Sequence, residues 1–365
     1  MATVAVIGGG NGGFAAAADL QTDGHRVQLY NRSYETISAI DDRGGIEFSG
    51  AIGEGFVSIP VITCDLATVV EDADVIVVVL PAMAFESLAA DLSELVTNTP
   101  ILLNPGSTGG ALLFHEVFRS SEADAVPRVS ETNTLTYICR KRGEDHVHVS
   151  SKVKNVRHGT IPGSGSETGE LSIEQLYPDI TPVSSVLHTS LCNVNAVLHP
   201  PGAVLSAAWI EATGGDFRFY YDGATPAVAN VMSRIDDERL AIGDELGLDL
   251  QPFPELFAEI GSTSSEAGES GSFLRMLKES EPNESIRAPE SVDHRFYHED
   301  IPYGLVPMSE MADRAGVDTP LIDSLITAAS SITGTEFRSS GWSDEDLGLT
   351  RESFDEGPGD PPEPG

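Results

Sequence analysis

The sequence predicts an α/β domain built on a parallel sheet, followed by an all-helical domain and a short disordered tail. Short β-branched runs alternate with helix-favouring stretches through the first half of the chain, as in a doubly wound sheet. From about Pro182 the strand-like runs stop and long helical segments follow. The last residues are acidic and rich in Pro and Gly, a composition that buries too little apolar surface to fold. We therefore place the domains at residues 1–182 and 183–350, and the tail at 351–365.

The first βαβ unit carries a glycine motif between its strand and its helix. Residues 4–7 form an apolar run typical of a strand buried on both faces, and residues 14–20 are Ala-rich and favour a helix. A second apolar run follows at residues 27–30. Between the first strand and the helix, G-x-G-x-x-G is matched by Gly8, Gly10 and Gly13. Strand, glycine turn, helix and strand in this order predict a Rossmann dinucleotide-binding domain rather than an ordinary turn.

The end of the second strand indicates which dinucleotide binds. An Asp or Glu there would bind the ribose 2′-hydroxyl of NAD, but this chain has Asn31, Arg32 and Ser33. A guanidinium beside small polar groups suits the 2′-phosphate of NADP. We predict NADP(H), with NAD(H) as the alternative if Arg32 only points into solvent. The predicted cofactor-binding residues are Gly8, Gly10, Asn11, Gly12, Gly13, Asn31, Arg32, Ser33, Pro81 and Ala82.

The rest of the α/β domain continues as alternating helices and strands. The strongest strand spans residues 74–80 and is expected at the centre of the sheet, ending before Pro81 and Ala82, where ligands bind in such sheets. Residues 46–58 predict a hairpin or short edge strands, whereas 129–140 and 147–153 are expected to finish the sheet. The remaining predicted elements are helices at 33–43, 65–71 and 85–96, a strand at 101–103, and loops at 104–110 and 160–170.

The second domain is predicted to be entirely helical. Its segments lack the alternation of strands, and Pro and Gly turn signals separate them. The predicted helices span residues 184–208, 226–243, 254–260, 273–278, 306–315 and 321–333.

Charge sets limits on the partners of this protein. The 365 residues include 57 acidic against 21 basic side chains, a formal net charge of −36. Nucleic acids and anionic membranes need basic patches, so we expect neither as a partner. An acidic excess spread over a chain with few Lys is typical of a halophile's surface, and the alternative is an ordinary acidic enzyme.

Cysteine usage and hydropathy indicate the compartment. Cys64, Cys139 and Cys192 show no metal-binding spacing and leave one thiol unpaired, which favours a reducing environment. The chain opens directly into its first strand, and no apolar run approaches the length of a membrane span. We therefore expect a cytoplasmic protein without a bound metal. A homodimer is compatible with these features.

Three stretches of the helical domain carry residues suited to chemistry. Asn195 and His199 lie four positions apart on one face of a predicted helix, although a His before Pro200 can simply complement the helix dipole. Residues 214–226 concentrate aromatic side chains and glycines, for which the alternative explanation is packing between helices. Residues 295–305 mix Arg295 with aromatic rings and acids, where the alternative is a solvated run of charges.

These stretches resemble the octopine/nopaline (opine) dehydrogenase family over nearly the whole chain except the tail. The glycine-rich start agrees with that family. The other matching motifs are residues 130–135, 196–200, 213–217, 222–226, 235–241 and 299–307. The resemblance implies a Rossmann domain and a helical domain of the 6-phosphogluconate-dehydrogenase-like type, with the substrate in the cleft. It also implies reductive condensation of an amino acid with an α-keto acid, using either nicotinamide cofactor.

The resemblance extends to individual site residues. The family's catalytic His matches His199, its paired Asp matches Asp300, and the Arg that grips a substrate carboxylate matches Arg295. Glu131 and Thr132 fall on a segment that lines the family's cleft, and we add Asn195 as a substrate-binding candidate.

Elementary chemistry agrees with these roles. Condensation and imine reduction need a proton donor, first at the carbonyl oxygen and then at the nitrogen, and a His titrates in the right range. A carboxylate would orient its ring, and an Arg can hold the keto-acid carboxylate in a bidentate grip. A rival function is an NADP-dependent reductase of a single 2-keto or 3-hydroxy acid. Many such enzymes use a Lys on the catalytic helix, which this chain lacks. A further rival is a non-catalytic NADP sensor, which would not need the His, Asp and Arg.

Overall fold

A computed structural model describes residues 1–163 and 173–349 of the chain. The predicted tail at 351–365 and most of the predicted loop at 160–170 lie outside these residues. The chain divides into two units. The first comprises Met1–Gly106 and Gly110–Val186, and the second comprises Ser107–Gly109 and the chain from Leu187 onward.

In the described part of the first unit, eight strands form the main sheet, in the order β12-β11-β8-β7-β6-β1-β2-β5. Its pairs are parallel except for the antiparallel pair of β8 and β11. The prediction of a central strand at 74–80 is confirmed, because fully buried β6 pairs with β1 and β7. The strands of the first unit are β1 (Thr3–Ile7), β2 (Arg26–Tyr30), β3 (Gly45–Gly50), β4 (Gly55–Ser58), β5 (Val61–Thr63), β6 (Val75–Val78), β7 (Ile101–Leu103), β8 (Val129–Thr132), β9 (Tyr137–Lys141), β10 (His146–Lys152), β11 (Arg157–Ile161) and β12 (Thr181–Pro182).

A second sheet of four strands, in the order β4-β3-β10-β9, corrects one sequence prediction. Residues 129–140 and 147–153 were expected to finish the main sheet, but only Val129–Thr132 joins it. Strands β9 and β10 instead extend the predicted hairpin of β3 and β4. The reason is visible in β10, where buried Val147 and Val149 alternate with partly exposed His146 and His148. Such alternation fits a sheet covered on one face, whereas the central strands β6, β7 and β8 of the main sheet are buried on both.

Helix α1 packs between the two sheets of this unit. Its Ala15–Ala18 run has no solvent exposure, and these small side chains belong to the same apolar core as Val4 of β1 and Val147 of β10. Small residues allow close approach of a helix to sheets on both sides. The helices of the first unit are α1 (Asn11–Thr22), α2 (Tyr34–Arg43), α3 (Leu66–Val70), α4 (Phe85–Ser93), α5 (Gly110–Ser120) and α6 (Ile173–Leu176).

The second unit is helical, and strand pairing in its described part is limited to an isolated bridge between Arg218 and Arg287. The predicted helix at 184–208 is instead broken twice. Asn193 caps the second helix by accepting from the backbone N–H of Asn195, and a third helix begins after Ser206. The helices are α7 (Val186–Leu191), α8 (Val194–Leu205), α9 (Ala207–Thr213), α10 (Pro226–Glu245), α11 (Phe253–Glu259), α12 (Ser265–Glu269), α13 (Phe273–Lys278), α14 (Arg295–His298), α15 (Val306–Ala315), α16 (Pro320–Thr333) and α17 (Phe337–Ser340).

A buried ion pair ties α10 to its neighbours in this unit. Arg239 has no solvent exposure, and its Nε lies 2.7 Å from Oδ1 of Asp236. The same guanidinium donates to the carbonyl oxygens of Leu191 and Gln251, while Oδ2 of Asp236 accepts from the backbone N–H of Phe253. The pair therefore satisfies three backbone groups in two segments at once. In the described ranges, no helix has both the length and the apolar character that crossing a membrane requires.

Candidate active site

The glycine loop after β1 has the backbone geometry that the sequence motif demands. Gly8 has a φ of +129°, and a Cβ there would lie 2.3 Å from the carbonyl oxygen of Val79. A Cβ on Gly13 would lie 1.8 Å from the carbonyl oxygen of Gly8, so close helix–strand packing also requires glycine. Gly10 has open space around it and is exposed. The loop thus presents the start of α1, with its unpaired N–H groups, to an anionic ligand.

Asn31 braces this loop from the end of β2. Its Oδ1 accepts from the backbone N–H of Gly9 at 2.9 Å, and its Nδ2 donates to the carbonyl oxygen of Ser33 at 2.9 Å. Arg32 is exposed, and none of the residues that the structure describes accepts a hydrogen bond from its guanidinium. Asn31 therefore shapes the site, while Arg32 is available to a ligand.

Lys141, which the sequence analysis did not select, brings a cation to the first turns of α1. Its backbone N–H donates to Oδ1 of Asn11 at 2.8 Å, and its Nζ lies 3.8 Å from the centre of the Phe14 ring. Burial lowers the pKa of this lysine. Lys141 belongs to the second sheet, whose position over α1 no sequence pattern indicates. After β6, Pro81 is exposed and Ala82 is buried.

Glu131 and Thr132 of β8 are both fully buried in the first unit. Oε2 of Glu131 accepts from the backbone N–H of Ala111 at 2.8 Å, in the first turn of α5. The Thr132 hydroxyl donates to the carbonyl oxygen of Thr134 at 2.9 Å. These contacts favour a structural role for both side chains.

In the second unit, His199 and Asp300 meet as a buried pair. Nδ1 of His199 lies 2.7 Å from Oδ2 of Asp300, and the two side chains are 10% and 5% exposed. His199 sits in the middle of α8, which continues through Pro200 and Pro201, so it does not complement the dipole at a helix end. Asp300 precedes a single π turn, Ile301–Leu305. Asn195 lies one turn before His199 and is half-buried.

Tyr220 completes the hydrogen bonding of the His199 ring. Its hydroxyl lies 2.6 Å from Nε2 of His199, and burial raises the pKa of this tyrosine, with the nearby Asp300 charge adding to the effect. A protonated phenol donates to Nε2, which leaves the ring hydrogen on Nδ1 for the Asp300 carboxylate. The sequence indicated Tyr220 only through the concentration of aromatic residues at 214–226. Packing between helices does not fully explain that concentration, because the Tyr220 hydroxyl also bonds to His199.

Aromatic contacts hold the His199 ring in place. The Phe296 ring stacks on it, with ring centres 4.0 Å apart and planes 24° apart. Next to Phe296, the Tyr297 hydroxyl donates to the carbonyl oxygen of Ala203 in α8 at 2.7 Å. These contacts fix the ring orientation that a positioned proton donor needs.

Arg295 begins the same short segment as Phe296 and Asp300. Its guanidinium is 56% exposed and lies 3.0 Å from Oε2 of Glu299, which is 14% exposed. The neighbouring His294 is half-buried, and burial together with the charges of Arg295 and His199 lowers its pKa. The structure therefore brings His199, Asp300 and Tyr220 together, and Arg295 begins the segment that contacts α8 through Tyr297.

Comparisons with known proteins agree with this architecture. Residues 182–333 match the family described as NAD/NADP octopine/nopaline dehydrogenase, alpha-helical domain, and residues 3–109 match the N-terminus of NAD-dependent glycerol-3-phosphate dehydrogenase. The opine dehydrogenase of Arthrobacter sp. (strain 1C) is 35% identical over 350 residues, which cover 95% of each chain.

Two solved structures share the fold. One of octopine dehydrogenase in complex with NADH and agmatine has a TM-score of 0.81 at 19% identity and covers 97% of this chain and 98% of that one. One of yersinopine dehydrogenase with NADP+ bound has a TM-score of 0.74 at 14% identity and covers 97% and 96%. At these identities the likeness concerns the fold alone.

Proposed function

The chain belongs to the opine dehydrogenase family of NAD(P)-dependent oxidoreductases, and we propose that it prefers NADP(H) and works through His199 and Asp300. The activity is reductive condensation of an amino acid with an α-keto acid. The observation that carries the proposed catalytic roles is the buried pair of His199 and Asp300.

The residues of the glycine loop fit a dinucleotide. Gly8 and Gly13 have no room for a Cβ, and the loop leads into the N-terminus of α1, where Gly10, Asn11 and Gly12 would carry the pyrophosphate. Lys141 would add positive charge there. When bound, the nicotinamide supplies the hydride that reduces the imine carbon.

The preference for NADP(H) is supported by Arg32. Its exposed guanidinium has no acceptor among the described residues, and no carboxylate stands at the end of β2 to bind a ribose hydroxyl. Ser33 and the loop after β6, with Pro81 and Ala82, complete the proposed cofactor contacts. NAD(H) remains the alternative.

His199 would handle the proton of the condensation. Asp300 holds the Nδ1 hydrogen and stabilises the imidazolium form, so that Nε2 is the nitrogen that gains and loses the proton. The proton is needed where the carbinolamine loses water, and again at the nitrogen. The ring stack with Phe296 keeps Nε2 in one orientation.

Arg295 would bind the keto-acid carboxylate. More than half of its side chain is exposed, and its contact with Glu299 leaves a guanidinium edge for a bidentate grip. The half-buried Asn195 could contribute a polar contact to the amino-acid substrate. Glu131 and Thr132 remain substrate-binding candidates, and their observed contacts are with backbone groups of the first unit.

Four further assignments accompany the enzyme proposal. The net charge of −36 supports a halophilic surface. Within the described residues Cys64, Cys139 and Cys192 form no disulfide, which supports a cytoplasmic location. A homodimer and the domain division at residue 182 remain predictions.

The decisive experiment is a matrix of amino acids and α-keto acids, assayed for NADPH and NADH oxidation in molar salt. We expect oxidation only when both substrates are present, and a secondary amine as product. Oxidation with a keto acid alone would identify a simple reductase instead. Cofactor binding without turnover of any pair would identify a sensor.

A further inference from the structure

The hydroxyl of Tyr220 occupies the one ring nitrogen of His199 that Asp300 leaves open. Tyr220 lies between α9 and α10 and is 6% exposed, and its oxygen lies 2.6 Å from Nε2. The ring of Phe219, beside it in the chain, packs against both Tyr220 and Phe296. Burial and the packing of Phe219 therefore fix the position of the Tyr220 hydroxyl beside the His199 ring.

Among the described residues the Tyr220 hydroxyl makes few hydrogen bonds. A phenol has one hydrogen to donate, and within residues 1–163 and 173–349 the Tyr220 hydroxyl is hydrogen-bonded to Nε2 of His199. Because Asp300 accepts the Nδ1 hydrogen, the neutral ring accepts the phenol hydrogen at Nε2. A substrate cannot reach that lone pair while the phenol occupies it.

Protonation of His199 changes this arrangement. The imidazolium carries a hydrogen on Nε2 and donates it to the Tyr220 oxygen, so the phenol hydrogen must turn to another acceptor. A buried hydrogen without an acceptor is destabilising. The reacting oxygen of the substrate is the acceptor that the reaction itself provides.

We propose that Tyr220 is a further catalytic residue, which passes the proton between His199 and the substrate. This inference rests on the proposed function. As the carbinolamine dehydrates, the Tyr220 O–H gives its hydrogen to the departing hydroxyl, and the Nε2 hydrogen of His199 moves onto the Tyr220 oxygen. The C–O bond breaks, water leaves, and the nitrogen lone pair forms the C=N bond, so that the positive charge passes to the nitrogen of the iminium product. His199 ends neutral and Tyr220 is unchanged.

The test compares Tyr220→Phe with Tyr221→Phe in the intact enzyme. Tyr221 is the neighbouring phenol and packs under Arg218 and Lys278, away from the proposed chemistry. We expect Tyr220→Phe to lower kcat by about 100-fold or more, the usual contribution of a positioned proton donor. Its KM for the keto acid and its NADPH affinity should change little, and Tyr221→Phe should keep wild-type kcat.

A second measurement separates relay from positioning. Because two protons move together in the relay, the wild-type rate in mixtures of H2O and D2O should curve against the deuterium fraction. With 3-fluorotyrosine at position 220, which keeps the shape but makes the hydroxyl more acidic, kcat should change while the melting temperature stays constant. That substitution also serves if Tyr220→Phe fails to fold.

The outcomes are distinct. Near wild-type kcat in Tyr220→Phe, or a linear isotope dependence with no effect of fluorination, would overturn the relay and leave the proposed function intact. Turnover that is lost in His199→Ala but kept in Tyr220→Phe would assign the proton to His199 directly. Absence of turnover by the wild type on every substrate pair would overturn the relay together with the proposed function.

Discussion

Oδ2 of Asp300 lies 2.7 Å from Nδ1 of His199, although 101 positions separate the two residues in the chain. Helices α9 to α14 intervene, and the chain returns so that the segment beginning at Arg295 lies along α8. The first three predictions depend on this local arrangement and on the glycine loop.

His199→Ala should lower kcat by about 100- to 10,000-fold, because a positioned proton donor is lost. Asp300→Asn should also be slow, and the double variant should be little worse than His199→Ala, since residues acting as a unit are not additive. Steady-state kinetics on the best substrate pair check this. His298→Ala, from the same segment, is the control. Near-native turnover by His199→Ala would refute the assignment.

Arg295→Ala should mainly raise the KM for the keto acid, because the carboxylate loses its bidentate partner. The KM for NADPH should stay close to that of the wild type. Arg287→Ala removes another exposed arginine of this unit, paired with Asp216, and should leave both constants unchanged. An Arg295→Ala enzyme with an unaltered keto-acid KM would place the carboxylate elsewhere.

Arg32→Ala should weaken NADPH binding by about 1.5–3 kcal/mol, the range of a charge-assisted hydrogen bond, and leave NADH binding almost unchanged. Isothermal titration with each cofactor measures the difference. Arg26→Ala, at the exposed start of β2, controls for a general loss of positive charge. Equal affinities of the native protein for the two cofactors would contradict the preference.

Arg239→Ala should lower the free energy of unfolding by about 3–5 kcal/mol, because it leaves the Asp236 carboxylate buried without its cation. Burial already raises the pKa of Asp236 beside the guanidinium. Denaturant titration at constant salt checks the value. Arg234 lies on the same helix, and Arg234→Ala should lower the free energy of unfolding far less. A small decrease in the free energy of unfolding for Arg239→Ala would mean that water solvates the Asp236 carboxylate.

The melting temperature should fall as NaCl decreases from molar to millimolar concentration, because the net charge of −36 is then poorly screened. Sucrose at matched osmolality should not replace the salt, since it screens no charge. A melting temperature independent of salt would reject the halophilic interpretation.

Local chemistry made the glycine loop predictable, because Gly8 and Gly13 are required by steric contacts within one βαβ unit. The pairing of His199 with Asp300 came from resemblance, since no spacing indicates a contact between distant segments. Neither the second sheet nor Lys141 beside α1 was anticipated, because strand pairing depends on partners far along the chain.

One short stretch of chain provides four different contacts of the site. Arg295 is an exposed cation and Phe296 stacks on the His199 ring. Tyr297 donates a hydrogen bond to α8, and Asp300 places its carboxylate beside the ring. On a helical path, inserting or deleting one residue turns every later side chain by about 100°. Such a change between Tyr297 and Asp300 would separate the carboxylate from the ring that Phe296 still covers. During evolution this stretch can therefore accept substitutions but not insertions or deletions. Insertions that change substrate specificity must then occur elsewhere in the helical domain.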